Sequence, residues 1–269
     1  MIRKTGERMV PTEVNSSEEY LIYLRHKFAY DYAVRMIHTG ASVLEVGSGE
    51  GYGTNSIAIN SKAEKVVGLD VDKETIDYSI SAYKNKNLEF ILYDGIKIPF
   101  KDGSFDCVVS FQVVEHVLDD SNYIKEIYRV LKKNGLFILS TPNRVYRLNP
   151  GEKPWNRFHI REYDEKTLRK LLSVKFKDIK ISGLKGTKEI QDIEFNRVKK
   201  IRKFMAIDPI GLRNLLPEKL KLLITKGFNK NNFETNQKNN FTELYSDGDH
   251  YLSKSGLDES LDLIALCRK

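Results

Sequence analysis

Four glycines at every second position, Gly47, Gly49, Gly51 and Gly53, follow an apolar run in the stretch VLEVGSGEGYGT, residues 43–54. Val43, Leu44 and Val46 read as a strand buried on both faces, and Ile57 and Ala58 open an apolar helical face just beyond. A strand, a glycine turn and a helix in 16 residues commit the chain to an α/β sheet. Glycine lets backbone approach a ligand closely. The spacing therefore predicts free N–H groups at the turn, ahead of a helix N-terminus suited to a carboxylate or phosphate.

Two ligand classes use such a turn. A dinucleotide fold requires G-x-G-x-x-G, with the third glycine letting helix and strand pack closely. Counted from Gly47 and Gly49, that third position is Tyr52, a large ring. The spacing here is G-x-G-x-G with Glu45 at the strand end, which resembles the first motif of the class I S-adenosylmethionine-dependent methyltransferases. The resemblance implies that Glu45, Gly47, Ser48, Gly49 and Gly51 hold the methionine part of that cofactor.

Downstream residues carry the likeness on. Lys65 to Leu69 reads as a second buried strand ending on Asp70, 23 residues after Gly47. A carboxylate there can accept both hydroxyls of a ribose. Asp72 suits the N-cap of the helix after it. Leu88 to Tyr93 reads as a third strand before Asp94-Gly95, where the family pattern places an acceptor for the adenine amino group. Asp106 to Phe111 forms a fourth strand, and the chain turns through Gln112 into a predicted helix carrying Glu115 and His116. The stretch 129–144 reads as a helix end, an Asn134-Gly135 stop, a fifth strand and a Pro-Asn turn. These matches, spanning about 42 to 144, resemble the branch containing ubiquinone-biosynthesis and natural-product O- and N-methyltransferases. They imply further cofactor contacts at Val71, Gly95, Phe111 and Gln112.

The implied fold is a doubly wound seven-stranded sheet, order 3-2-1-4-5-7-6, with the last strand antiparallel and helices on both faces. Phe176 to Leu184 alternates as a sixth strand should, and 261–267 supplies the late, apolar seventh. The domain reading follows: a helical cover over 1–40, a cofactor core over 41–184 plus 258–269, and an insertion or lid over 185–257. In the cover, Ser16, Ser17 and Glu19 can start a helix reaching Ile37, with Arg25, His26 and Tyr30 as candidates to line the site. Its TGERMVP and RHKFAYDYA segments resemble the leader of methyltransferases encoded beside surface-polysaccharide and glycan glycosyltransferases.

Charge is concentrated rather than spread. The 269 residues carry a net charge of +7, yet 197–230 alone hold ten Lys or Arg against Asp208 and Glu218. The cofactor fold itself is therefore not basic, and an anionic partner is expected at the insertion. Pro217 and Gly227 frame a short basic amphipathic helix, read as a lid or as a peripheral membrane contact, and the six Asn of 229–240 suggest a loop. No apolar run approaches the ~18 residues of a membrane span. Cys107 and Cys267 both fall in predicted core strands, so a reducing cytoplasm is expected.

Methyl transfer from a sulfonium needs an aligned acceptor and an excluded solvent. A hydroxyl acceptor gains from a general base, and His116, then His159 in the loop 147–163, are the candidates. Glu115 reads as a loop anchor. No His, Cys, Asp or Glu spacing suggests a metal set. The expected acceptor is a hydroxyl or amine of a glycan or glycan precursor, anionic or lipid-linked, with a quinone-type small molecule as the rival and a non-catalytic cofactor-binding regulator as the third reading. A nucleic acid acceptor is disfavoured, since SFQV stands where a catalytic acidic or Asn-Pro tetrapeptide would be, and no RNA-binding motif is present.

Overall fold

The computed structural model of the chain describes residues 14, 16–207 and 244–269. One mixed sheet organises them. Its strands in chain order are β1 (Ser42–Val46), β2 (Lys65–Asp70), β3 (Leu88–Leu92), β4 (Phe105–Phe111), β5 (Leu131–Pro142), β6 (Asp178–Gly186), β7 (His250–Ser253) and β8 (Asp262–Arg268). They lie in the order β3-β2-β1-β4-β5-β8-β6-β7. β1 to β5 are parallel, and β8 inserts antiparallel between β5 and β6. The expected seven-strand order is present, with β8 in the seventh place.

The eighth strand is the difference. β7 pairs antiparallel with β6, Leu184 opposite Leu252 and Gly186 opposite His250, and forms the sheet edge. The sequence reading assigned these residues to the insertion. Four residues, HYLS, carry too short a pattern to identify a strand without its neighbour.

The helices form where sequence signals start them. In α1 (Ser17–Met36) the Ser16 side chain accepts from the Glu19 amide. In α3 (Lys73–Ala82) Asp72 accepts from the amide and hydroxyl of Thr75. In α6 (Glu165–Leu172) Asp164 and Thr167 cap one another reciprocally. The segment carrying Glu115 and His116 departs from expectation. It is one 3-10 turn, Val114–His116, and α4 (Asp120–Val130) starts only after Asp119 caps it.

Two apolar layers flank the sheet. On one side Leu69, Val108, Ile127, Phe137 and Leu168 are buried together, and on the other Tyr30, Ala33, Val43, Ile57 and Ile138. The second layer seats α1 over α2 (Tyr52–Asn60), so the amino-terminal helix covers the glycine turn. Gly53 is essential to that seating, since a Cβ there would fall 1.8 Å from Tyr30 Cζ.

The insertion begins with α7 (Lys188–Ile207). Part of its charge turns inward. Arg197 pairs with buried Glu194, and Arg202 donates to the carbonyls of Arg147 and Tyr146. The predicted helix at 217–227 and loop at 229–240 lie outside the described residues. No described helix is long and apolar enough to cross a membrane.

Candidate active site

A cleft of about 290 Å³ opens at the carboxyl ends of β1, β2 and β4, where open α/β sheets bind ligands. Gly47, Ser48, Gly49, Asp70, Val71 and Gly95 line it from the turns after β1, β2 and β3, and Phe111, Gln112, Val113 and His116 from the end of β4 and the turn after it. His26, Tyr30 and Tyr52 close it from α1 and α2. Arg25, also named as a lining candidate, is instead buried against Asp262 at 3.4 Å.

The turn is built to hold itself. Gly47, Gly49 and Gly51 have φ of +82°, +52° and +78°, conformations that disfavour side chains. Their amides are not free, as the sequence suggested. Gly47 N and Ser48 N both donate to the Leu69 carbonyl at 2.8 Å, Gly49 N donates to Asp70 Oδ2 at 2.8 Å, and Gly51 N to the Ser48 carbonyl. The amides without helical partners are those of the first turn of α2, Tyr52 to Thr54. Contacts between distant strands decided this, and no local pattern reports them.

Asp70 joins the turn to the end of β2. Oδ2 takes the Gly49 amide and Oδ1 the Asp72 amide at 3.0 Å. Each oxygen keeps a further lone pair, and Asp70 lines the cleft. Gln112, at the end of β4, adopts φ +58°, and its amide donates to the Ser140 carbonyl. A non-glycine residue in that region, on a cleft wall, marks a place where the backbone shape is held by its surroundings.

Three assigned cofactor residues, Glu45, Gly51 and Asp94, are absent from the cleft lining, Gly51 abutting Phe90 and Ser79 instead. Glu45 is fully buried beneath the turn and is absent from the cleft lining. Its carboxylate accepts from Tyr30 Oη at 2.7 Å and from Thr54 Oγ1, fastening β1 to α1 and α2. Burial pushes it up to about 7, against the opposing effect of these two bonds. Asp94 is exposed and outside the lining. Its Oδ1 accepts the amides of Ile96 and Lys97, which hold it below its ordinary value.

The far end of the cleft is an imidazole corner. The loop 156–163 is fastened to 115–120: Ile160 N donates to the Glu115 carbonyl at 2.9 Å, and Arg161 donates to the Val117 and Leu118 carbonyls. This brings His159 edge-on to His116, ring centroids 4.7 Å apart. His116 Nδ1 bonds the Phe158 carbonyl at 3.1 Å, so this nitrogen carries the proton and Nε2 the lone pair. Desolvation, then the neighbouring His159, lowers His116 to about 4, which keeps it neutral near pH 7. His159 does not line the cleft. Its Nδ1 bonds Glu162 Oε1 at 2.8 Å, and Glu162 is paired with Arg147. Glu115 does anchor loops, by its carbonyl and by accepting from Thr141 Oγ1 at 3.0 Å.

The sequence spacing suggested no metal set, but one ligand atom each of Glu115, His116 and His159 lie within 4.8 Å of one another. The separation of 43 positions from His116 to His159 hid that grouping.

A methyltransferase-domain family model matches residues 44–139. A probable S-adenosylmethionine-dependent methyltransferase of Mycobacterium tuberculosis is 35% identical over 192 residues, 71% of this chain and 67% of that one. The chain belongs to the S-adenosylmethionine-dependent methyltransferases. A probable member from Mycolicibacterium smegmatis is 39% identical over 171 residues; the alignment spans 62% of each chain. A 2-methyl-6-phytyl-1,4-hydroquinone methyltransferase of Synechocystis is 30% identical over 120 residues, 43% of this chain and 37% of that one. Among solved structures, an S-adenosylmethionine-dependent methyltransferase of Thermotoga maritima shares the fold, with TM-score 0.56 and 17% identity over 94% of this chain and 95% of that one.

The cleft of this methyltransferase fits S-adenosylmethionine, its cofactor. The Ser48 hydroxyl is buried with no hydrogen-bond partner among the described residues, and a Cβ at Gly49 would meet nothing within 4 Å. A buried polar orphan beside an open cradle calls for a polar ligand. Asp70 would take the ribose hydroxyls, and Ser48 with the first turn of α2 the amino-acid end. When bound, the cofactor supplies an electrophilic methyl on a sulfonium.

Proposed function

We propose that the chain methylates a hydroxyl of a small acceptor seated between the cofactor cleft and the imidazole corner. The observation that carries this is His116 itself. It lines the same cleft as Asp70, with its proton fixed on Nδ1 by a carbonyl and its ring held neutral. A neutral imidazole at the acceptor end suits a nucleophile that must lose a proton, as a hydroxyl must and an unprotonated amine need not. Phe111, Val113 and Val117 give this end apolar walls suited to the body of a small acceptor.

The small-molecule acceptor is supported by the hydroquinone methyltransferase among the relatives. The glycan precursor expected from the basic insertion has less behind it, because Arg197 and Arg202 are already engaged by the chain's own groups. Labelled-methyl transfer into pools of hydroquinones, fatty acids, sugars and amines tests the reading. Label in a hydroxylated small molecule supports it. Label confined to glycan-linked material refutes the acceptor class, and no label in any pool refutes transferase activity.

A further inference from the structure

We propose that Glu115, His116 and His159 form a binding site for a divalent first-row cation at the acceptor end of the cleft. Two imidazoles and one carboxylate, one ligand atom from each within 4.8 Å of the others, are a donor set suited to zinc, iron, cobalt or manganese. A second observation points to a ligand independently. Glu115 Oε1 is wholly buried and has no hydrogen-bond partner among the described residues, although Oε2 is satisfied by Thr141. Such an orphan is costly unless something bonds it.

The surroundings are those of oriented metal ligands. Ligating histidines donate the other ring N–H to a carbonyl or carboxylate, which fixes tautomer and ring angle. Here His116 Nδ1 meets the Phe158 carbonyl and His159 Nδ1 meets Glu162, itself held by Arg147. Both rings thus present Nε2 as the donor nitrogen. Ligands on one tetrahedral ion about 2.1 Å away stand about 3.4 Å apart, so pairs now up to 4.8 Å apart close by as much as about 1.4 Å on loading.

His116 faces the cofactor cleft, so the open coordination positions point to the acceptor. This role rests on the function proposed above; the binding does not. With an ion held, His116 ligates instead of taking the proton. The acceptor hydroxyl binds the ion, which lowers its pKa, and releases its proton to water. Its oxygen then forms the bond to the methyl carbon as the carbon–sulfur bond breaks, leaving the electron pair on sulfur as S-adenosylhomocysteine.

The test uses the full-length, tag-free chain stripped with a chelator. It is titrated with Co²⁺ while visible d–d absorption is followed, and zinc retained after dialysis is measured by mass spectrometry. One equivalent of zinc and a cobalt band are expected. Glu115→Gln and His159→Ala should each weaken binding at least tenfold, and Glu162→Gln by about tenfold through loss of the orienting bond. Should His159→Ala fail to fold by circular dichroism, isosteric Glu115→Gln decides alone. Substoichiometric zinc with no cobalt band, or retention unchanged in Glu115→Gln, overturns the site. Failure here with normal methyl transfer leaves the proposed function standing, whereas metal bound tightly without transfer to any pool removes that function and not the site.

Discussion

Replacing Glu45 by glutamine should make the protein's stability less sensitive to pH, and by an amount the structure sets. Glu45 is wholly buried, and its folded-state pKa stands at about 7 against an ordinary 4.5. Between these values the folded chain keeps a proton that the unfolded chain has released. Stability therefore falls as pH rises through the window, and levels off above it. At about 1.4 kcal/mol per unit the full loss is roughly 3 kcal/mol, most of it between pH 5 and pH 8. Glutamine keeps an acceptor for Tyr30 and an amide for Thr54 but cannot ionise. Urea melts of the cofactor-free parent and Glu45→Gln should thus lie close together at pH 5 and separate by roughly 2–3 kcal/mol at pH 8, with the variant more stable. At a slope of about 2–3 kcal/mol per molar this is a midpoint difference near 1 M. Parallel pH profiles would refute the reasoning. A variant weaker at pH 8 would mean that the two hydrogen bonds to the charged form outweigh its desolvation.

Asp70→Asn should weaken S-adenosylmethionine binding about a hundredfold in calorimetry, from two hydrogen bonds to a charged acceptor, with the circular dichroism unchanged; unchanged affinity would remove Asp70 from the ribose role. His116→Ala should leave that affinity within about threefold but lower methyl transfer by about 10² or more, measured by labelled-methyl incorporation; full activity would clear His116 of any part in proton removal. Gly53→Ala places a Cβ 1.8 Å from Tyr30 Cζ, and should cost about 2–3 kcal/mol and lower the melting temperature by about 5–10 °C; an unshifted melt would show that Tyr30 can move away without consequence.

The parts of this molecule legible in its sequence are those written in local spacing. The strand–glycine–helix unit, the Asp72 and Asp164 caps and the existence of a late apolar strand all depend on neighbours within a few residues or on an apolar run, whereas the antiparallel sense of that strand came from the family resemblance. What failed to show depends on contacts across the chain. Glu45 follows a buried run in the way a ligand-holding acid does, yet its partners Tyr30 and Thr54 claim both oxygens. The amides of the glycine turn lie in a ligand-binding pattern, yet the Leu69 carbonyl, 22 positions from Gly47, turns those of Gly47 and Ser48 inward. His116 stood out through the fourth-strand motif, but its relation to Glu115 and His159 is created by a loop stitched to 115–120 by Ile160 and Arg161. That loop is held in turn by Glu162 and Arg147, and α7 reaches it through Arg202 to the Arg147 carbonyl. The family motif thus builds the cofactor half of the cleft from one continuous stretch of chain. The proposed acceptor end adds to that stretch the loop 156–163, stitched on by contacts that no local spacing reports, so the sequence announces the cofactor and stays silent on what is methylated.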